Sequence, residues 1–149
     1  MQRASAFDCS LRVLSLRDHS EAELRRKLKE KGYEQQQIEE SIARLRDLGY
    51  LDDARFARLF ASSAMRNGRG YGVRLKQELA RRGVAKEIAS EVLAELGEEF
   101  SESELLAQMI ARRFSGFDPA LATEKERRRV VGYLQRKGFS LSAIFAMFK

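Results

Sequence analysis

Apolar residues recur at steps of three and four along almost the whole chain. Leu24 and Leu28 lead to Ile38, Ile42 and Leu45, and Phe56, Leu59 and Phe60 lead to Leu75 and Leu79. The pattern resumes in Ile88, Val92 and Leu96, in Leu105, Leu106, Met109 and Ile110, and in Val130, Val131, Leu134, Ile144 and Phe148. Such spacing puts apolar side chains on one face of a helix. No stretch alternates at period two, so the pattern predicts helices, no strands, and core packing along each stripe. Start signals agree. Ser20 with Glu23, Ser101 with Glu104 and Thr123 with Glu126 have capping-box spacing, and Asp52 or Asp53 can cap the helix carrying Phe56. Gly32, Gly49, Gly68, Gly83, Gly97 and Gly138 each follow an apolar stretch and read as helix stops. About nine helices result, most of them about 10–15 residues long.

A repeat underlies the pattern. Leu28-x-x-Lys31-Gly32-Tyr33, Leu79-x-x-Arg82-Gly83-Val84 and Leu134-x-x-Lys137-Gly138-Phe139 share one form. Leu stands four before Gly, a basic residue directly before it, and an apolar residue after it. An apolar pair four apart follows each time: Ile38/Ile42, Ile88/Val92 and Ile144/Phe148. The interval of about fifty residues allows three helices per unit, and one such unit is too small to hold a core alone. The expected fold is all-α: three tandem three-helix repeats, residues 1–49, 50–97 and 98–149. They form an elongated, curved array of right- or left-handed sense. A basic residue before Gly suits a helix C-terminus electrostatically, so Lys31, Arg82 and Lys137 are read as structural or ligand-binding alike.

Charge adds the first functional hint. Lys and Arg number 28 against 22 Asp and Glu, for a formal charge of +6. The excess comes in blocks. Residues 66–86 carry seven basic residues against Glu78 alone, 87–104 carry seven Glu and no base, and 112–137 carry eight basic residues against three acidic ones. Such blocks steer phosphate-bearing or acidic partners, and Arg suits the forked geometry of either.

Catalytic chemistry has little to work with. His19 is the only His and Cys9 the only Cys. Cys9 lies in the apolar stretch of Phe7, Leu11 and Leu14 and reads as a small buried hydrophobe. One Cys excludes an intramolecular disulfide and fits a reducing compartment. His19-Ser20-Glu21 matches the H-x-E of zinc deaminases, but no Pro-Cys-x-x-Cys follows. One His and one Cys leave a transition metal short of ligands. Gly68-Arg69-Gly70-Tyr71-Gly72 lacks the G-K-[ST] of a phosphate loop and reads as a break between helices. The run Glu98, Glu99, Glu102, Glu104 lacks a calcium-loop pattern and reads as a solvated helix start. No metal, no cofactor and no enzymatic activity are expected. No run approaches 18 apolar residues, and the N-terminus lacks an uninterrupted apolar segment, so a cytoplasmic chain with no membrane association is expected.

Four motifs in order resemble the signature of the RecX regulatory proteins. They are Glu23-Leu24-Arg25-Arg26-Lys27-Leu28-x-x-Lys31-Gly32, and Gly49-Tyr50-Leu51-Asp52-Asp53-Ala54-Arg55-Phe56-Ala57. Arg66-x-x-x-Gly70 with Leu75-x-x-Glu78-Leu79-x-x-Arg82-Gly83-Val84, and Tyr133-Leu134-Gln135-Arg136-Lys137-Gly138-Phe139, complete them. The middle loop departs from the family in having Gly72-Val73 where a small residue or Pro is usual. The resemblance implies three tandem three-helix units and a bacterial, non-enzymatic modulator of the recombinase RecA. Such proteins bind RecA and its filament on single-stranded DNA. They suppress ATP hydrolysis, strand exchange and the coprotease activity behind the SOS response, and so modulate recombination and DNA repair. A monomer is expected, with weak direct contact to DNA as an accompaniment. The alternative is a DNA-binding regulator of helix-turn-helix type, since three-helix units with basic helices resemble such domains. The expected filament contacts are Arg25, Arg26, Arg66, Arg69, Arg74, Lys76, Arg81, Arg82, Arg127, Arg128 and Arg136. Arg69, Arg74, Lys76, Arg81, Arg127 and Arg128 stand out among them as lacking an obvious capping duty. Gly32, Gly49, Tyr50, Leu51, Asp52, Asp53, Arg55, Phe56, Gly83 and Gly138 form the structural signature, with Tyr50 and Phe56 read as packing residues.

Overall fold

In a computed structural model describing residues 3–149, the chain forms nine α-helices and no strand among the described residues. They are α1 (Ala6–Leu16), α2 (Glu21–Glu30), α3 (Gln35–Asp47), α4 (Asp53–Arg66), α5 (Gly72–Arg81), α6 (Lys86–Glu99), α7 (Glu102–Arg113), α8 (Glu124–Arg136) and α9 (Leu141–Ala146). They follow one another as three tandem three-helix domains.

Helix starts follow the side-chain oxygens. Ser20 closes a full capping box with Glu23. Ser101 and Thr123 accept from the backbone N–H three residues on. Ser5 and Ser140 do the same for α1 and α9. The two aspartates before α4 divide their labour. Asp52 Oδ1 accepts from Arg55 N at 3.0 Å and caps its own helix, whereas Asp53 Oδ1 accepts from Glu21 N at 2.9 Å, at the start of α2.

Helix ends carry the repeat. After α2, Gly32 N donates to Lys29 O and Tyr33 N to Leu28 O. After α5, Gly83 N donates to Ala80 O and Val84 N to Leu79 O; after α8, Gly138 N donates to Gln135 O and Phe139 N to Leu134 O. This paired pattern is the Schellman reversal, which satisfies the last carbonyls and turns the chain back on its own helix. Leu28, Leu79 and Leu134, the acceptors, are fully buried. One expected stop fails: α6 runs through Gly97 to Glu99. No Cβ-sized neighbour lies within 4 Å of that position, so neither a positive φ nor a close approach calls for Gly there.

The described residues fall into two compact units, one comprising residues through Ala57 with Leu79–Ala89, the other Arg58–Glu78 with Ser90–Lys149. In the first, α1, α2 and α3 enclose Cys9, Val13, Leu24, Leu28, Ile38, Ile42, Leu45 and Leu51. Each large aliphatic side chain buried there contributes about 1.5–3 kcal/mol. The last turn of α5 docks on the first turn of α2. Ser20 Oγ donates to Arg82 O at 2.5 Å, and Arg82 Nη1 donates to Glu23 Oε2 at 3.2 Å. A helix C-terminus thus meets a helix N-terminus, an attractive arrangement of dipoles. The approach is close enough that a Cβ on Gly83, whose φ is +83°, would run into Ala22 Cβ.

In the second unit the α8 reversal meets the residues before α5. Tyr71 N donates to Lys137 O at 2.8 Å, and the Tyr71 and Phe139 rings stack with centroids 5.2 Å apart. Arg74 Nη1 donates to Arg136 O at 3.0 Å. A Cβ on Gly138, φ +102°, would overlap the Tyr71 carbonyl oxygen and the Arg74 backbone. Glu102 receives Ser140 N at 3.0 Å and Ser140 Oγ at 3.1 Å, fixing the start of α9.

Gly138→Ala combines a left-handed backbone with a backbone collision, so thermal or urea unfolding is expected to show a loss of about 2 kcal/mol or more. Gly97→Ala, at a helical and exposed position, is expected to gain about 0.5–1 kcal/mol. A gain at Gly138 together with a loss at Gly97 would refute the reading of both sites.

Candidate interaction surface

Several basic side chains expected to face a partner are engaged within the fold. Arg25 grips Glu39 through two bonds of 2.7 and 3.0 Å, and Arg82 pairs with Glu23. Arg69 donates to Ser63 Oγ at 2.9 Å. Arg74 pairs with Glu78 at 2.9 Å and also reaches the Arg136 carbonyl. Arg74 therefore does have a capping duty: it neutralises the C-terminus of α8, where cations are favoured. Arg112 does the same for α4, donating to Arg66 O at 3.2 Å. Arg66 itself lies over the Phe100 ring.

The run Arg127-Arg128-Arg129 is split by the helical turn into three fates. Arg127 is tied inward, donating to Pro119 O at 3.2 Å with its guanidinium over the Phe148 ring. Arg128 lines a concavity of about 700 Å³ with Val131, Gln135 and Phe145. Arg129 belongs to a second concavity of about 580 Å³, lined also by Arg113, Phe114, Ser115, Gly116, Phe117, Glu126 and Val130. There the Arg113 and Arg129 guanidinium carbons lie 5.8 and 5.6 Å from the Phe114 ring centroid. Arg113 is also 5.5 Å, and Lys137 Nζ 5.6 Å, from the Tyr133 centroid, and that ring meets Phe114 edge-on. Each such cation–ring contact is worth about 0.5–1 kcal/mol at an exposed site.

The side chains of Arg26, Lys76, Arg81, Arg128 and Arg136 make no hydrogen bond or ion pair among the described residues, and all but the half-buried Lys76 are exposed. Tyr50, expected to pack, is instead 53% exposed. Its neighbours explain this. Gly49 N donates to Arg46 O and Tyr50 N to Leu45 O, reversing the chain, while Leu51 and Phe56 are the buried anchors. Arg55 Nη1 ties the Gly49 carbonyl at 2.9 Å. With Leu51 turned inward, its neighbour Tyr50 is left on the outside.

The sequence's two chemical candidates are core residues. Cys9 is buried in the first unit's core. His19 is 3% exposed; its Nδ1 donates to Arg17 O at 3.0 Å, and Nε2 has no partner. No cluster of three His, Cys, Asp or Glu able to hold a metal occurs among the described residues. No helix there is long and apolar enough to cross a membrane.

Family models for the first, second and third three-helix domains of RecX match residues 6–45, 52–93 and 101–147. The chain belongs to the RecX family. It is 40% identical over 146 residues to the regulatory protein RecX of Syntrophotalea carbinolica, covering 98% of this chain and 95% of the relative. It is 38% identical to that of Trichlorobacter lovleyi, covering 99% and 96%. The crystal structure of RecX from Lactobacillus salivarius superposes with a TM-score of 0.78 at 22% identity, over 95% of this chain and 91% of that one. A second RecX crystal structure gives 0.79 at 23%, over 95% and 70%. These two establish the fold, and the fold places the RecX motifs mostly at helix reversals.

Sequence reading missed Arg113 and Arg129 as a pair. Their separation of sixteen residues gives no local signal, and only the Phe114 ring, lying after α7 and against Tyr133 of α8, brings them together. The signal that was present is the aromatic at Phe114 and at Tyr133 within a basic block.

Burial pushes the His19 imidazole below its ordinary value, aided by the charges of Arg17 and Lys27 and opposed by the Arg17 carbonyl and Glu23. Folding thus excludes a proton that the unfolded ring takes up near pH 6.5. Stability is expected to fall as pH drops through about 6.5 and to level off below the depressed native value. Urea unfolding across that window checks this. The slope is expected to vanish in His19→Gln, and a slope that persists there would place its origin elsewhere.

Proposed function

We propose that the chain binds RecA and its filament on single-stranded DNA and from there restrains ATP hydrolysis, strand exchange and coprotease activity. It acts as a cytoplasmic monomer, by binding and not by catalysis. The carrying observation is the RecX match through all three domains, at 40% identity over nearly the full length of a relative named as a regulatory protein. Supporting it, the chain retains basic side chains that the fold does not use: Arg26 in the first domain, and Lys76, Arg81, Arg128 and Arg136 in the basic blocks. These are the preferred filament contacts. Arg25, Arg69, Arg74, Arg82 and Arg127 contribute chiefly by holding the helices that present them.

The test is ATP hydrolysis by RecA on single-stranded DNA with the chain titrated in. Inhibition well below one molecule per DNA site supports filament binding. The helix-turn-helix alternative instead requires RecA-independent binding to duplex DNA that weakens steeply with salt. No inhibition at any ratio would overturn the proposal.

Exposed charges contribute about 0–1 kcal/mol each, so single changes are expected to be nearly silent. Lys76→Glu with Arg81→Glu together is expected to raise the half-inhibiting concentration several-fold with helicity unchanged. Arg74→Glu is expected to act differently: it abandons the Arg136 carbonyl and sets Glu against Glu78, lowering the unfolding midpoint itself. Equal unfolding midpoints for the two variants would show that Arg74 is a surface residue after all.

A further inference from the structure

We propose that the concavity between the end of α7 and the start of α8 binds the phosphate group of a nucleotide, free or as one link of a single strand. The observation is a pair of unused guanidinium groups. Arg113 and Arg129 both lie over the Phe114 ring, and neither has a hydrogen bond or ion pair among the described residues. Two like charges in one hollow repel each other, and the ring contacts hold them there rather than letting them spread into solvent. Such a pair is organised for an anion.

The hollow also says which anion. Glu126 lines it and is paired with neither arginine. A carboxylate is thus already at hand, and the fork geometry of the two arginines is not closed on it. A phosphate ester offers more acceptor oxygens than a carboxylate and suits two guanidinium forks at once. Ser115 adds a hydroxyl to the same lining, and Gly116 leaves the loop open, with nothing within 4 Å of its Cβ position. The volume of about 580 Å³ is of the order of a small-ligand site. Glu126 opposes the anion and sets a ceiling on affinity. The site lies wholly within the third domain and stands without RecA.

The experiment measures binding of pyrophosphate, and separately of an oligothymidylate, to the whole chain without RecA. Arg113→Ala with Arg129→Ala is expected to weaken both by about ten-fold and to flatten the salt dependence of oligonucleotide binding by about 0.7 in log–log slope, one phosphate fewer. Glu126→Gln, which removes the opposing charge without touching the cations, is expected to tighten both. Lys125→Ala, on α8 but outside this lining, is expected to leave pyrophosphate binding unchanged. Oligonucleotide bound more tightly than pyrophosphate identifies a strand as the source of the phosphate, and the reverse identifies a free nucleotide. The inference is overturned if wild type fails to bind pyrophosphate, or if a helical double variant and Glu126→Gln both bind as wild type does. RecA inhibition without pyrophosphate binding would sink this site and leave the regulatory reading standing; the converse would do the opposite.

Discussion

The three-domain chain depends on how its helices end. A helix leaves carbonyls unsatisfied at its C-terminus, and the nine short helices among the described residues meet that problem repeatedly. The same answer appears after α2, α5 and α8: a left-handed Gly, two backward hydrogen bonds, and a buried Leu at the base of the turn. Closing the helix internally frees its end to be packed against. At Gly83 and Gly138 that freedom is spent on approaches so close that a side chain would not fit. The repeated motif is therefore a packing surface as well as a punctuation mark.

Arginine does the complementary work. Arg74 and Arg112 each reach across to a carbonyl at the end of another helix, and Arg55 secures the turn before its own. Arg25 and Arg46 hold carboxylates of neighbouring helices. The Arg46 bond to Glu21 pulls that carboxyl below its ordinary range, while burial pushes Asp53 upward. The basic excess that suggests a nucleic-acid or acidic partner is thus partly consumed as internal cross-bracing. What is left over has a different character: unpaired, mostly exposed, and in the third domain partly gathered over aromatic rings, as Arg113 and Arg129 are.

That division bears on how a regulatory protein of this family carries its information. The family motifs concentrate on reversals and caps, positions constrained by backbone geometry, so they mark the scaffold. Most side chains free to meet a partner lie at the variable positions of those motifs or between them, while Arg26 and Arg136 are motif members on exposed faces. Tyr50 is another. It belongs to the Gly49–Ala57 motif yet faces outward, because Leu51 beside it is the buried anchor.

Sequence reading alone reaches the helical class, the repeat of about fifty residues, the caps at Ser20, Ser101 and Thr123, and the burial of Cys9, because these follow from local geometry and from period. It misread Gly97, since a Gly inside a helix and one beyond its end look alike without neighbours. It left Asp52 and Asp53 undivided, since a cap given to a distant helix has no local sign. The tertiary structure alone decided which arginines are spent. Arg74 and Arg81 are equivalent by composition, but one finds a carbonyl brought to it from sixty-two residues away and the other finds none. Charge is written in the chain, whereas its availability depends on which polar groups packing brings within about 3 Å.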